Sequence, residues 1–274
     1  MLMWVKRGVA AILVAVLLAG CGTALKQPVQ MVAATEESLE QEYEKALEVA
    51  RTPVAANIRT DLVALTSDTP ELVWNDQGEV LMVSWTYADY YKDYEPGDSF
   101  PLYGDTWLTA APFMKEFCTA YSGEDLQLRL AQNLGMPPGR TYDTFVELWV
   151  PLEAIFRPCP DPEISDRECM VRIPLKEGSF ESEPDQPPWD CEQGDNQLSS
   201  AYVVVNPNHL VWMCTNWTKS FTNEQVYDNY PWTALGYTYD WGSPDIQGQS
   251  EFIAPKSTEV RLHSKTSTKA YCGR

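Results

Sequence analysis

The sequence contains few of the residues on which most catalytic and metal sites depend. It has only two histidines, His209 and His263, and both stand among apolar or strand-like neighbours. It contains no H-E-x-x-H motif, no P-loop and no G-x-G-x-x-G turn. The six cysteines after Cys21 include no C-x-x-C pair, which argues against zinc and thioredoxin-like redox sites. We therefore expect no metal and no cofactor, and both histidines are predicted to be structural or surface residues.

Basic residues are also scarce. The chain has 20 Lys and Arg against 39 Asp and Glu, which gives a formal net charge of −19. Nucleic-acid binding depends on clustered Lys and Arg that neutralise phosphates, so nucleic acid is not an expected partner. The same charge disfavours adsorption to a bare anionic membrane face. An acidic, well-hydrated surface is the simplest interpretation.

The apolar run at the N-terminus is too short to span a membrane. Gly8–Ala19 is a stretch of 12 apolar or small residues, whereas a spanning helix needs roughly 20. Lys6 and Arg7 precede this stretch and supply a positive start. This arrangement predicts a secretory signal peptide over residues 1–20 that is removed from the mature protein.

The end of this signal carries a short motif around a cysteine. Leu18-Ala19-Gly20-Cys21 resembles the bacterial lipobox. The resemblance implies diacylglycerol on the Cys21 sulfur, cleavage before Cys21 and a lipid anchor in a membrane outside the cytoplasm. Two or more acyl chains hold a protein firmly to a bilayer. Gly22 stands where an Asp would retain a Gram-negative lipoprotein in the inner membrane, so the outer membrane is favoured if the organism has one.

The other cysteines predict a disulfide framework, because an even number in an exported chain is typical of disulfides. Cys159–Cys169 is the preferred pair, since it would close a loop rich in Pro, Asp and Glu. Cys191–Cys214 and Cys118–Cys272 follow only by elimination. The acidic side chains inside the 159–169 loop could also suit calcium, although their spacing is not that of an EF-hand and a solvated loop is favoured.

The pattern of apolar and turn-forming residues predicts an α+β fold in which helices accompany a mainly antiparallel sheet. Residues 21–35 are predicted to be a lipidated tether and residues 36–274 one disulfide-braced domain, with an exposed acidic loop at 175–200. Helices are expected near 36–51, 112–121, 122–134 and from 206 onward. Strands are expected near 72–74, 79–85, 106–109, 144–150, 235–241, 249–254 and 259–263.

Three segments of the predicted domain resemble stretches of uncharacterised secreted bacterial proteins. They are Tyr230–Gly242, Phe156–Glu163 and Gln249–Phe252. With the surrounding sequence, the resemblance extends over roughly the last two-thirds of the chain. It implies a shared exported domain and assigns no catalytic residue.

Aromatic residues are concentrated in two places. Between Tyr202 and Trp241, 10 of 40 residues are aromatic, against 12% in the whole chain. Core packing is the more common role of such residues, but they also bind sugars and form interface hot spots. The residues considered for binding in this region are Trp232, Tyr237, Tyr239 and Trp241. A second group, consisting of Tyr87, Tyr90, Tyr91 and Tyr94, is interleaved with aspartates and is the better candidate for a contact surface.

Three functions remain open from the sequence alone. The preferred one is a non-enzymatic envelope lipoprotein that binds a glycan, a peptide or an envelope protein. The alternative is a hydrolase of envelope carbohydrate that uses Asp240 and Glu251, because a glycosidase needs only two suitably spaced carboxylates. Most carboxylates in so acidic a chain lie at the surface or in ion pairs, which weighs against this pair. The third function is that of a structural scaffold.

Overall fold

The computed structural model describes residues 35–171 and 207–274. The predicted signal peptide, nearly all of the tether, Cys21, Cys191 and the 175–200 loop lie outside the described residues. The helices are α1 (Glu36–Ala50), α2 (Ala111–Ala120), α3 (Leu126–Asn133), α4 (Pro207–Phe221) and α5 (Thr268–Tyr271). The strands are β1 (Val80–Thr86), β2 (Ser99–Pro101), β3 (Thr106–Ala110), β4 (Thr144–Val150), β5 (Tyr237–Tyr239), β6 (Gln247–Ser250), β7 (Phe252–Ala254) and β8 (Glu259–Ser267). No helix in the described ranges is long and apolar enough to cross a membrane.

The main sheet has six strands in the order β2-β8-β4-β1-β3-β7, and each neighbouring pair is antiparallel. Strand β1 lies in the middle and pairs with β4 along its whole length, from Val80↔Val150 to Thr86↔Thr144. Strands β5 and β6 form a separate two-stranded sheet. The predicted α+β class with a mainly antiparallel sheet is confirmed.

Both faces of the main sheet are buried, and the alternation of side chains along β1 shows how. Val80 and Met82 belong to a core on one face, together with residues of β3, β4, β7 and β8. Leu81, Val83 and Trp85 point to the opposite face, as their spacing of two predicts, and pack against α2 and α3. A strand that is covered on both sides explains why β1 is a nearly continuous apolar run.

A further core joins α1 and α4 to the segment that leads into β5. Helix α1 begins at Thr35, whose Oγ1 accepts a hydrogen bond from the Ser38 N–H at 3.2 Å. Tyr43 is fully buried in the predicted helical stripe, and its hydroxyl donates to the Asn229 carbonyl at 2.8 Å. Burial places the pKa of this phenol far above its usual range. The N-terminal helix is therefore an integrated part of the domain.

Two disulfides brace the described residues. Cys118 at the end of α2 is bonded to Cys272, with a Cα–Cα distance of 5.2 Å across 154 residues of sequence. Cys159 is bonded to Cys169, with a Cα–Cα distance of 6.5 Å. Both bonds join pairs that the sequence analysis proposed. Cys214 is disulfide-bonded as well.

The acidic loop closed by Cys159 and Cys169 surrounds a buried cation. Arg157 is fully buried, and its guanidinium donates to the carbonyls of Val63, Asp166 and Glu168 at 2.9–3.1 Å. It also lies 3.4 Å from the Asp166 carboxylate. Burial lowers the pKa of Arg157, and the neighbouring carboxylates oppose that shift. An internal arginine therefore offsets part of the negative charge of this loop.

Several predicted boundaries were wrong. The helix predicted from residue 122 begins later, at Leu126, because the Asp125 carboxylate caps it by accepting from the Leu128 N–H. The predicted strand 249–254 is divided between β6 and β7, which belong to different sheets. The strand predicted at 72–74 is reduced to a single bridge between Trp74 and Val80.

Candidate functional site

Strand β3 changes partner halfway along its length. Its last residues pair with β1, at Met82↔Ala110 and Val83↔Thr109, and its first residues pair with β7, from Thr106↔Ala254 to Leu108↔Phe252. Beyond Val83, the β1–β3 pairing is not continued within the described residues. The two strands therefore diverge, and both flanks, including Ser84 and Thr106, line a cavity.

The cavity has a volume of about 490 Å³ and lies between the diverging strands, α4 and the segment that leads into β5. Nine of its 26 described lining residues are aromatic, about three times the proportion in the whole chain. The size and the aromatic lining are typical of sites for small organic ligands, which occupy roughly 300–1,000 Å³.

The two predicted aromatic groups meet at this cavity. Tyr90 and Tyr91 come from the first group, and Trp232 and Tyr239 come from the second. Tyr90 is 65% exposed, whereas the other three are buried. The sequence predicts a contact surface only for the first group and favours core packing for the second, whereas the fold brings half of each group to one cavity.

The remaining members of these groups have structural contacts. Tyr94 stacks on Phe100 with ring centroids 3.9 Å apart, and Tyr87 packs edge-on against Tyr142. The buried Tyr237 and Trp241 donate to the carbonyls of Asn57 and Met136. None of these four predicted binding residues lines the cavity: Tyr87, Tyr94, Tyr237 and Trp241.

Asp240, one of the two predicted catalytic carboxylates, is fixed by an ion pair. Arg129 of α3 donates from Nη1 and Nη2 to the two carboxylate oxygens at 2.8 and 2.6 Å. Asn133 and the Gly242 N–H donate to the same group, whose side chain is only 2% exposed. This bidentate geometry fits a structural link between α3 and the end of β5.

Glu251, the other predicted carboxylate, lies in a different environment. It is 3% exposed and lines the cavity, and its Oε1 has no hydrogen-bond partner among the described residues. Burial raises the pKa of this carboxyl well above its usual value, and no other cause contributes. Burial therefore favours the neutral form of this carboxyl group at the cavity.

Asp240 and Glu251 lie in different surroundings, since Glu251 lines the cavity and Asp240 does not. The Glu251 N–H donates to Gly236 at one end of the β5–β6 ladder, and the Asp240 N–H donates to Ile246 at the other. Four residues of strand separate these positions, or about 13 Å along the ladder. Glycosidase carboxylates lie about 5–10 Å apart and share one cleft.

Other lining residues escaped sequence analysis because their roles depend on distant contacts. Trp85 and Trp107 come from the two diverging strands, and Asn216 comes from α4. The Asn216 Nδ2 is buried without a hydrogen-bond partner within the described ranges. Asp105 and Lys219 are the other charged residues of the lining, and both are exposed. The high tryptophan content is the only sequence signal here, and it applies to Trp85 and Trp107 alone.

The histidines contact other side chains and backbone. His209 Nε2 lies 2.7 Å from the Cys159 carbonyl, and burial lowers its pKa. His263 packs edge-on against Trp149. Over residues 35–171 and 207–274, no group of three or more His, Cys, Asp or Glu side chains is arranged to hold a metal ion.

Comparisons with protein-family models, with curated proteins and with solved structures found no match to this chain. The cavity and the residues that line it are therefore the features that indicate a function.

Proposed function

We propose that this chain is a lipid-anchored extracytoplasmic binding protein that takes a small ligand, or the end of a glycan or peptide chain, into the cavity. The observation that supports this function most is the convergence of both aromatic groups on one cavity of about 490 Å³. Binding sites commonly combine such apolar walls with a few polar groups that orient the ligand. Glu251 and Asn216 supply unpartnered polar atoms of this kind.

The shape of the site favours a small ligand over a whole protein surface. A stable protein interface generally buries more than about 1,000 Å², mostly on an accessible face. Here Trp232 and Tyr239 are buried, and Tyr90 is the lining member of the predicted groups that is strongly exposed. A hydrolase remains the less supported alternative, because Asp240 is engaged by Arg129.

Blocking the cavity tests this function directly. Ser84 lines the cavity in the stretch of β1 beyond its pairing with β3, so Ser84→Phe should fill space there, and Ser84→Ala is the matched control. The full-length protein in a non-ionic detergent is titrated with a panel of envelope saccharides, short peptides and small amines, and tryptophan fluorescence is recorded. Binding should be retained in Ser84→Ala and lost in Ser84→Phe. The proposed cavity function is wrong if no compound binds, or if Ser84→Phe binds as the unchanged protein does.

The anchor is tested separately, by mass spectrometry of the mature N-terminus. The proposal expects an acylated Cys21 as the first residue. An unmodified Cys21 would remove the lipid anchor from the proposed function.

A further inference from the structure

The buried carboxyl of Glu251 lacks the cation that the other buried carboxylate possesses. Asp240 is matched by Arg129 at 2.6 Å. Glu251 is as deeply buried, but no ion pair or side-chain hydrogen bond to it occurs in the described part of the chain. A buried acid without a counter-ion is costly to keep, and such groups are a signature of functional sites. The position of Glu251 at the cavity wall indicates that a bound ligand supplies the partner of its carboxyl group.

The tryptophans of the lining suit a positive charge. Trp85, Trp107 and Trp232 line it, and indole faces attract cations more strongly than other aromatic rings do. The value of this attraction increases when water is excluded, as it is around the buried Trp85 and Trp232. The net charge of −19 also steers cations towards the protein.

We propose that the cavity binds a small organic cation, an amine or a quaternary ammonium group, with Glu251 as its counter-ion and the tryptophan rings as its enclosure. The inference rests on the proposed binding function and names the ligand class for the same site. Asn216 Nδ2, which is buried and unpartnered in the described structure, would donate to an oxygen atom of the ligand.

Proton exchange accompanies this binding mode. In the free protein, burial favours the protonated form of the Glu251 carboxyl. A bound cation favours the carboxylate form, so the proton leaves to solvent when the ligand enters. The other titratable or charged lining residues are two exposed ones, Asp105 and Lys219, and five tyrosines, which are uncharged near neutral pH. Binding should therefore release about one proton per ligand and strengthen as pH rises towards the pKa of Glu251.

A pair of probes that differ only in charge separates this inference from the general binding function. Choline carries a quaternary nitrogen, and dimethylbutanol is its neutral carbon isostere. Isothermal titration of the full-length protein in detergent should give at least about tenfold tighter binding of choline. Titrations in two buffers of different ionisation enthalpy count the protons released. Glu251→Gln should reduce the choline preference severalfold and leave the smaller preference that the tryptophan faces supply. The matched control Glu259→Gln, an exposed position on β8 outside the lining, should retain the preference.

The outcomes distinguish the two proposals. Equal binding of both probes, with loss of both in Ser84→Phe, would preserve the cavity function and overturn the cationic ligand class. A choline preference that is as large in Glu251→Gln as in the unchanged protein would overturn the role of Glu251. Failure of choline to bind at all would also reject the cationic class, while the panel titration would still decide whether the cavity binds ligands.

Discussion

Replacing the buried acid with its neutral isostere should change how stability depends on pH. In the folded protein, burial raises the pKa of Glu251 well above its usual value, whereas the unfolded chain has a glutamate pKa of about 4.3. Below the unfolded value both states are protonated and the group has no pH-dependent effect. Above it, the unfolded chain loses the proton while the folded protein keeps it. The unfolded state therefore gains stability as pH rises, until pH passes the folded pKa.

The size of the effect follows from this linkage. Inside that window the free energy of unfolding should fall, through Glu251 alone, by about 1.4 kcal/mol for each pH unit. Glu251→Gln removes the titration and should therefore become progressively more stable than the unchanged protein as pH rises. The difference between the two proteins isolates this residue, because every other titrating group is common to both.

Urea unfolding followed by tryptophan fluorescence measures this difference in steps of about one unit from about pH 4 to about pH 8. Glu259→Gln, which removes an exposed carboxyl from β8, is the matched control for the loss of one acidic residue. A difference between Glu251→Gln and the unchanged protein that stays constant over the whole range would refute the reasoning, because the carboxyl would then ionise equally in both states.

Four further variants test other parts of the protein. Removing the long-range disulfide with Cys118→Ala and Cys272→Ala should cost about 5 kcal/mol in urea unfolding, because the bond closes a loop of 154 residues; no loss would contradict the chain-entropy argument. Asp240→Ala should cost about 3–5 kcal/mol in the same assay, since it leaves Arg129 without its partner. The paired change Asp240→Leu with Arg129→Met should recover much of that loss, and no recovery would mean that the unmatched charge is not its cause. Cys21→Ser should abolish acylation in the intact mass, and a lipidated variant would contradict the lipobox prediction.

Sequence reasoning succeeded where the signal was local. Leu39, Tyr43 and Leu47 marked the inner stripe of α1, and the structure buries or half-buries all three. The alternation of Leu81, Val83 and Trp85 marked one face of β1 for the same reason. Regular spacing is a property of a single element, so it can be recognised without knowledge of the partners.

The cavity could not be predicted in this way. It exists because β3 pairs with β1 at only two positions and pairs with β7 along the rest of its length. The pairing of β3 with β7 joins segments that are far apart in sequence. The pairing of Asp240 with Arg129, 111 residues away, is likewise invisible to spacing rules. On the sequence alone, which does not reveal this partner, Asp240 and Glu251 are equivalent acids in neighbouring predicted strands. Their environments give them different chemistry. Asp240 forms an ion pair, whereas Glu251 lines the cavity with an oxygen that has no hydrogen-bond partner among the described residues.

The bond between Cys118 and Cys272 also determines what a protease can do to this molecule. It turns the chain between these two residues into a closed covalent ring, which contains β4, α4 and the whole β5–β6 sheet. One cut anywhere in that ring leaves both fragments attached to each other, so nothing can diffuse away. Damage would appear on a gel only after reduction, as two fragments in place of one chain. The strands that lie inside the ring, β4 to β8, would thus stay attached to one another after a first cleavage within it.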